Sequence, residues 1–530
     1  MLPWLSLLLG VALAGHCPLS ELVQPEVDLV FSYCEYFFSE QELAAHPNRP
    51  RYVCPLMRTK LANCTLGLCP LREENLQSLV ESMSWRPYQT AICELSLSKS
   101  AQKPYGMKLL FFGSSFTAGS MTSGQCCTSY LSEPSKCDKY RREGEDYYCA
   151  WPGFFRRWLE KLFPQADIRT TNFGLSGYSS ASTAYSLAHF LHNYTITRRD
   201  IIFLDHSITD TILTSDAHHH VVERGLETLI RALYTMSVDG LPTIIIIDQW
   251  PHNEKSHSKT TSDIYVEIAK HYEIPIWSPK KVLRSEFAEK NQYHFVSVLL
   301  KKFGMHPDWT YHFFMADLIS LGFARAIEEC DHTVEKTYAG VPEPLFSTDS
   351  LIEDGICDPT QPLLLDVYPE SKFAPTDLKA FESNLSTWTT YIDRHNVAGF
   401  IINNNAKNHV LSIPLNYDLT ETNVLTHVLK IRYQSTYFNA GKFQVAICGQ
   451  PLDFDIDALN INHKSKKMSI PAVKTIGGYA FSGCYDAPEE MHQIAIIYRP
   501  YFGADGVDHG FPRGHEKVKI LSIEVCHQFA

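Results

Sequence analysis

Residues 109–119 of this 530-residue chain are Leu-Leu-Phe-Phe-Gly-Ser-Ser-Phe-Thr-Ala-Gly, four apolar residues followed by a turn of small and hydroxylated ones. A short apolar run that ends at a glycine is typical of a buried strand. In open α/β sheets the reacting groups follow the carboxyl ends of the strands. The stretch therefore predicts a strand from Leu109 to Phe112 and a candidate reactive hydroxyl in the turn after it.

Apolar runs and helical periodicities alternate from Met107 to about residue 330. Ile244 to Ile247 is apolar on both alternations, as expected of a strand that is covered on both faces. Between Val222 and Leu233 the apolar residues recur at helical spacing. Further strands are predicted at 168–171, 201–204 and 274–277, and further helices at 151–163, 264–271 and 313–327. This alternation predicts a doubly wound α/β domain.

The fifteen cysteines divide the chain unevenly. Ten lie between Cys17 and Cys149, none between residues 150 and 329, and five between Cys330 and Cys526. After the cysteine-poor region, β-rich segments separated by turn residues predict an antiparallel β-sandwich. The expected organisation is a signal peptide (1–14), a Cys-rich N-terminal extension (15–106), the α/β domain (107–330), a linker (331–360) and the β-sandwich (361–530).

The N-terminus predicts the secretory route. Residues 1–14 are apolar and end in Ala12-Leu13-Ala14, which is typical of a cleaved signal peptide; the alternative is a buried N-terminal helix. Sequons for N-glycosylation begin at Asn63, Asn193 and Asn384. With so many cysteines, these features indicate an oxidising environment and a secreted or cell-surface protein. Because the number of cysteines is odd, one is left unpaired or bonds to another chain.

Composition excludes several classes of protein. With 45% hydrophobic and 20% charged residues, the chain is not a disordered one. Its net charge is −12 and it has no long basic run, which disfavours nucleic-acid binding. After the leader no apolar run reaches the roughly 18 residues of a transmembrane segment. Three consecutive histidines, His218 to His220, cannot all face one ion on a helix, so they indicate a loop before a helix and no metal site is predicted.

Four blocks in order carry the functional prediction: 113–119 (GSSFTAG), 172–179 (NFGLSGYS), 205–210 (DHSITD) and 304–312 (GMHPDWTYH). The first three follow predicted strands, and the fourth precedes the last helix of the α/β region. Their order and content resemble the SGNH (GDSL-type) hydrolase superfamily over residues 107–328. The β-rich tail is also similar to that of secreted algal and protist members with a C-terminal β-sandwich.

The resemblance implies a flavodoxin-like sheet and a serine esterase that needs no cofactor. Ser115 would be the nucleophile and His306 the general base, because a hydroxyl attacks an ester only when a base takes its proton. The backbone N–H groups of Ser115 and Gly177 and the side chain of Thr209 would stabilise the oxyanion. The implied substrate is an ester or acetyl group of a polysaccharide, glycoconjugate or lipid.

Three positions depart from the pattern of that superfamily. Ser114 stands where aspartate is usual, Thr209 replaces the oxyanion asparagine, and Phe303 replaces the aspartate that orients the histidine. Loss of an orienting acid costs about 10⁴ in turnover, and loss of one oxyanion donor about 10²–10³. Asp210 and Asp308 are candidates to support His306 instead. The alternative is a catalytically degenerate protein with a binding or structural role, whose partner is at the cell surface or in the extracellular matrix.

Overall fold

The structure is a computed structural model of the chain. It describes residues 80–81, 90–100, 105–119, 150–175, 177–191, 194–213, 219–249, 260–282, 309–328, 341–346, 365–367, 388–392, 398–403, 410–415, 426–435, 441–458, 470–476, 481, 484, 487–488, 491–499 and 517–528. The asparagines of all three sequons, residues 1–79 and the cysteines of the insertion after Ser115 lie outside these ranges, as do Phe303, His306 and Asp308.

The first half of the chain forms one six-stranded sheet. Its strands are β1 (Val80–Glu81), β2 (Tyr105–Gly113), β3 (Ala166–Asn172), β4 (Ile201–Asp205), β5 (Thr243–Ile247) and β6 (Ile276–Trp277). They lie side by side in the order β1-β6-β5-β4-β2-β3, and only β1 is antiparallel to its neighbour. The five parallel strands therefore have the flavodoxin-like order, which confirms the predicted fold class.

Helices cover both faces of this sheet. They are α1 (Thr90–Ser100), α2 (Trp151–Leu162), α3 (Ser180–Tyr185), α4 (Leu187–Leu191), α5 (Ser207–Leu213), α6 (His219–Thr235), α7 (Thr261–His271) and α8 (Trp309–Glu328). Every residue of β4 and β5 is buried, as the four isoleucines of β5 predicted. Strand order changes direction between β2 and β4, so their carboxyl ends border the crevice in which ligands of such sheets bind.

Two local expectations were wrong. The strand predicted from Ile274 begins only at Ile276, because the N–H of Ile274 donates to Ala269 O at the end of α7 (2.8 Å) and Pro275 has no N–H to donate. His219 and His220 lie in the first turn of α6 rather than in a loop.

The C-terminal half is an antiparallel β-sandwich, as predicted. One sheet has the order β10-β15-β12-β13, and the other has the order β14-β11-β16-β9-β8, with β7 also paired to β16. The strands are β7 (Leu365–Val367), β8 (Trp388–Ile392), β9 (Ala398–Asn403), β10 (Val410–Pro414), β11 (Thr426–Ser435), β12 (Lys442–Ile447), β13 (Gln450–Asp457), β14 (Ile470–Ile476), β15 (Gln493–Arg499) and β16 (Lys517–Gln528). Side chains of both sheets form one apolar core, joined by a disulfide between Cys448 and Cys484.

Residues 341–346, within the predicted linker, are bound to the α/β domain. The carboxylate of Glu227 in α6 accepts hydrogen bonds from the backbone N–H groups of Leu345 (2.6 Å) and Phe346 (3.0 Å). His271 and Arg231 bind the carbonyl oxygens of Glu343 and Pro342. This part of the chain is therefore docked on the α/β domain. None of the helices in the described ranges is long and apolar enough to cross a membrane.

Candidate active site

The turn that follows β2 carries Ser115. Its backbone closes on itself through hydrogen bonds from Ala118 N to Ser114 O (3.0 Å) and from Gly119 N to Phe116 O (3.0 Å). Ser114 N donates to the carbonyl oxygen of Asp205, the last residue of β4 (3.2 Å). The turn is thus fixed at the carboxyl ends of β2 and β4, and Ser115 is about nine-tenths buried, at 9% exposure.

Gly113 makes this close approach possible. A Cβ at this position would lie 1.9 Å from Oγ1 of Thr117 and 2.6 Å from the carbonyl oxygen of Asp205. Distances this short are incompatible with a side chain. Gly113, the first glycine of the GSSFTAG block, is therefore required by the packing of the turn against β4.

A buried carboxylate lies under the turn. Asp205 Oδ2 accepts hydrogen bonds from Thr117 Oγ1 (2.7 Å) and Trp151 Nε1 (2.9 Å), and both of its oxygens lie 2.6 Å from Gln249 Nε2. Burial raises the pKa of Asp205 to about 6, whereas the hydrogen bonds from these three residues oppose the rise. Asp205 therefore connects the Ser115 turn to β4, to the start of α2 and to the end of β5.

Asn172, the last residue of β3, joins the first and second sequence blocks. Its amide Nδ2 donates to Thr117 O (2.7 Å), and its Oδ1 accepts from Gly174 N (2.8 Å). Leu175 N donates to Gly113 O (3.0 Å). These bonds hold the turn that contains Gly177 beside the turn that contains Ser115. Gly177 is half-buried and has a φ of 80°, in the left-handed region that favours glycine.

The third block, 205–210, runs from the end of β4 into the first turn of α5, and it is almost completely buried. Thr209, 4% exposed, lies in the first turn of that helix. Both oxygens of Asp210 bind internal donors, Ser180 N at the start of α3 (3.0 Å) and the hydroxyl of Tyr265 in α7 (2.7 Å). Burial raises the pKa of Asp210 to about 6, and these hydrogen bonds act in the opposite direction. Asp210 thus joins three helices.

His206, between β4 and α5, is fully buried. Its Nε2 lies 2.8 Å from Oγ1 of Thr183 in α3. Burial lowers the pKa of His206 from 6.5 to about 3, so the imidazole is neutral. This histidine is part of the packing between α3 and β4.

The fourth block approaches the Ser115 turn through α8. The rings of Tyr311 and His312 have their centroids 6.2 and 6.4 Å from that of Phe116, the residue after Ser115. His312 Nδ1 accepts a hydrogen bond from Trp151 N (3.4 Å). The candidate base His306 and the candidate supporting residue Asp308 precede α8 and lie outside the described residues.

The structure thus brings the first three blocks together at one edge of the sheet, and it adds partners that the sequence did not reveal. Trp151 and Gln249 lie outside the four blocks and in no recognisable pattern, whereas His312 is the last residue of the fourth block and was not singled out there. Asn172 and Thr117 stand inside the quoted motifs, but their roles as links between the two turns depend on long-range contacts.

Comparison with family models and with curated proteins gives no match. Among solved structures, a two-domain esterase described as active on acetylated mannans matches with a TM-score of 0.51 and 14% identity, over 86% of this chain and 99% of that chain. The acetylxylan esterase Axe2 from Geobacillus stearothermophilus matches at 16% identity over 42% of this chain and 95% of its own, with a TM-score of 0.30. A lipolytic protein of the G-D-S-L family from Veillonella parvula, also 16% identical, covers 41% of this chain and 99% of its own, with a TM-score of 0.29. The first match shows that the fold, with both domains, is shared with a known esterase.

Proposed function

We propose that this chain is a secreted SGNH-type serine esterase that hydrolyses ester or acetyl groups of a polysaccharide, glycoconjugate or lipid. The observation that carries the proposal is the position of Ser115. It lies in a rigid turn at the carboxyl end of β2, where the strand order reverses and β4 is the next strand of the sheet. A nucleophile on such a scaffold is positioned before the substrate binds.

In the proposed mechanism, Oγ of Ser115 attacks the ester carbonyl while His306 accepts its proton. The oxyanion of the tetrahedral intermediate receives hydrogen bonds from the N–H groups of Ser115 and Gly177 and from the hydroxyl of Thr209. As the intermediate collapses, His306 returns the proton to the leaving alcohol. Water, activated by the same imidazole, then releases the acid from Ser115.

The contact between α8 and the Ser115 turn supports His306 as the base. His306 precedes the first residue of α8 by three positions, and three residues span at most about 11 Å. Tyr311, two residues into that helix, lies against Phe116 beside Ser115. A connection this short would allow His306 to reach the nucleophile.

The histidine would work without the usual aspartate, since Phe303 stands at its position. Asp205 and Asp210 bind structural donors with both of their oxygens. Of the two candidate carboxylates, Asp210 and Asp308, we therefore assign the support of His306 to Asp308. We expect a slow enzyme, because loss of an orienting acid costs about 10⁴ in turnover in serine proteases.

Acetylated polysaccharide is the substrate class favoured by the shared fold, since the matching two-domain esterase acts on acetylated mannans. The Cys448–Cys484 disulfide, and the disulfide in which Cys93 takes part, support a secreted or cell-surface protein, because structural disulfides persist in oxidising compartments.

The test is hydrolysis of p-nitrophenyl acetate and of acetylated mannan by the wild type, Ser115→Ala and Ser114→Ala. Ser115→Ala should lower kcat at least about 10³-fold, as loss of a serine nucleophile does elsewhere. Ser114→Ala is the matched control. Its Oγ is buried and makes no hydrogen bond within the described part of the chain, so the variant should fold and keep wild-type activity. Equal loss in both variants, or none in either, contradicts the proposal.

The degenerate binding protein remains the second candidate, because Thr209 and Phe303 replace two residues on which turnover depends. It is supported if the wild type hydrolyses neither substrate but retains acetylated polysaccharide or a cell-surface or matrix component on a column, and if Ser115→Ala retains it equally well.

A further inference from the structure

A side chain of the β-sandwich, Arg432, reaches the predicted oxyanion loop. Arg432 in β11 donates a hydrogen bond from Nη2 to the hydroxyl of Tyr178 (2.7 Å), and its guanidinium carbon lies 5.5 Å from the centre of the tyrosine ring. Arg432 is completely buried and Tyr178 is 1% exposed. This pair joins the two domains across 254 residues of sequence.

Tyr178 has a special place in the α/β domain. It directly follows Gly177, and Ser179 after it caps α3 by accepting a hydrogen bond from Ser182 N. Its own N–H donates to Leu175 O (3.1 Å), which closes the turn around Gly177. At the other end of this turn, Asn172 holds Gly174. The turn is therefore fixed at its start by its own domain and at its end by a residue bound to the sandwich.

The surface of the sandwich that carries Arg432 is suited to precise docking. Side chains alternate along β11, so Leu429 and Ile431 enter the sandwich core while Lys430 and Arg432 face outward. Lys430 forms an ion pair with Glu524 of β16 (2.6 Å), and both are 2% exposed. The outward face of β11 therefore carries two buried cationic side chains, Lys430 paired within its own sheet and Arg432 bound to the α/β domain.

We propose that Arg432 is a positioning residue of the active site: through Tyr178 it fixes the Gly177 turn, so that the oxyanion donor is in place only when the sandwich is docked. This inference rests on the proposed function, since it assigns the role of that donor to Gly177. It implies that the second domain contributes to the rate of hydrolysis of any ester, including one too small to contact the sandwich.

The test is a double-mutant cycle in the full-length protein, with Arg432→Met, Tyr178→Phe and both changes together, assayed on p-nitrophenyl acetate. Each single variant should lower kcat about 10–100-fold with KM almost unchanged, because a displacement of about 1 Å at a site can cost about 10²-fold. The double variant should be no worse than the singles, since all three lose the same hydrogen bond. Tyr178→Phe keeps the ring and the packing, so it reports on the bond if Arg432→Met fails to fold.

A second measurement does not depend on activity. Hydrogen–deuterium exchange at residues 174–178 should be about 10-fold faster in Tyr178→Phe than in the wild type, and exchange in α6 should be unchanged. Unchanged kcat in a folded variant, or unchanged exchange in this segment, overturns the inference. If the wild type hydrolyses no ester, the proposed function fails, and the exchange result alone then decides whether Arg432 fixes the turn.

Discussion

His206 directly follows Asp205, the last residue of β4. It is fully buried between β4 and α3, and its imidazole is neutral. It belongs to the third block, three and four residues before Thr209 and Asp210. The structure gives its Nε2 a contact with Thr183 and surrounds the ring with protein. Burial is a property of the whole fold, so the sequence could not distinguish this histidine from an accessible one.

His206 should make the protein sensitive to acid. Burial lowers its pKa from 6.5 to about 3, so below pH 6.5 the unfolded chain takes up a proton that the folded chain does not. The stability that the neutral imidazole allows at pH 7.5 is lost as the pH falls towards 3. Relative to His206→Gln, the free energy of unfolding of the wild type should fall by about 1.4 kcal/mol per pH unit below 6.5.

Urea unfolding of both proteins at pH 7.5, 5.5 and 4.5 measures this difference. Asp205 and Asp210, whose raised pKa values act in the opposite direction, are present in both proteins and cancel in the comparison. Parallel dependence of the two proteins on pH would show that His206 is not held neutral.

At the scale of elements, sequence patterns located the interior of the sheet well. The four isoleucines of β5 and the apolar run of β4 lie in fully buried central strands, because such strands are apolar on both alternations. The short edge strand β1 and the helix α1 were not predicted. They belong to the Cys-rich extension, and β1 is defined only by its pairing with β6, a contact that no local pattern encodes.

The candidate site shows the same difference between what local patterns predict and what depends on long-range contacts. Ser115 and Gly177 were predicted as site residues because their motifs follow predicted strands. The links that hold them, Asn172 to Thr117 and Asp205 to Trp151, join residues 55 and 54 positions apart. Such links are consequences of strand order, and they become visible only when the sheet is assembled.

The packing of α3 against α6 should control the Gly177 turn. Gly225 in α6 lies so close to α3 that a Cβ would approach the Cβ of Ala181 to 2.5 Å and its Cα to 2.6 Å. Gly225→Ala should therefore destabilise the protein by about 1–3 kcal/mol, although alanine is the better helix former, and it should lower kcat by moving α3.

Gly106→Ala in β2 is the control for Gly225→Ala, because a Cβ there meets nothing within 4 Å. It should leave both stability and kcat close to those of the wild type. Thermal unfolding and hydrolysis of p-nitrophenyl acetate measure the two effects. A Gly225→Ala protein as stable and as active as Gly106→Ala would show that the two helices can separate freely.

At the scale of the molecule, the described residues form two cores of different construction. The α/β core consists of buried parallel strands and needs no disulfide from residues 150 to 329, where the chain has no cysteine. The sandwich has its own apolar core and the Cys448–Cys484 bridge. The uneven distribution of cysteines along the sequence thus reflects different means of stabilising the two domains. Only the assembled structure shows that Arg432 of one domain reaches Tyr178 of the other.

A fluorophosphonate shows whether Ser115 is an activated nucleophile, because the reagent bonds only to a serine whose proton a base can take. Intact mass and peptide mapping should show one adduct on the peptide that contains Ser115, greatly reduced in His306→Ala and kept in Ser114→Ala. An unlabelled wild-type protein, or an adduct on another serine, would show that Ser115 is not the nucleophile.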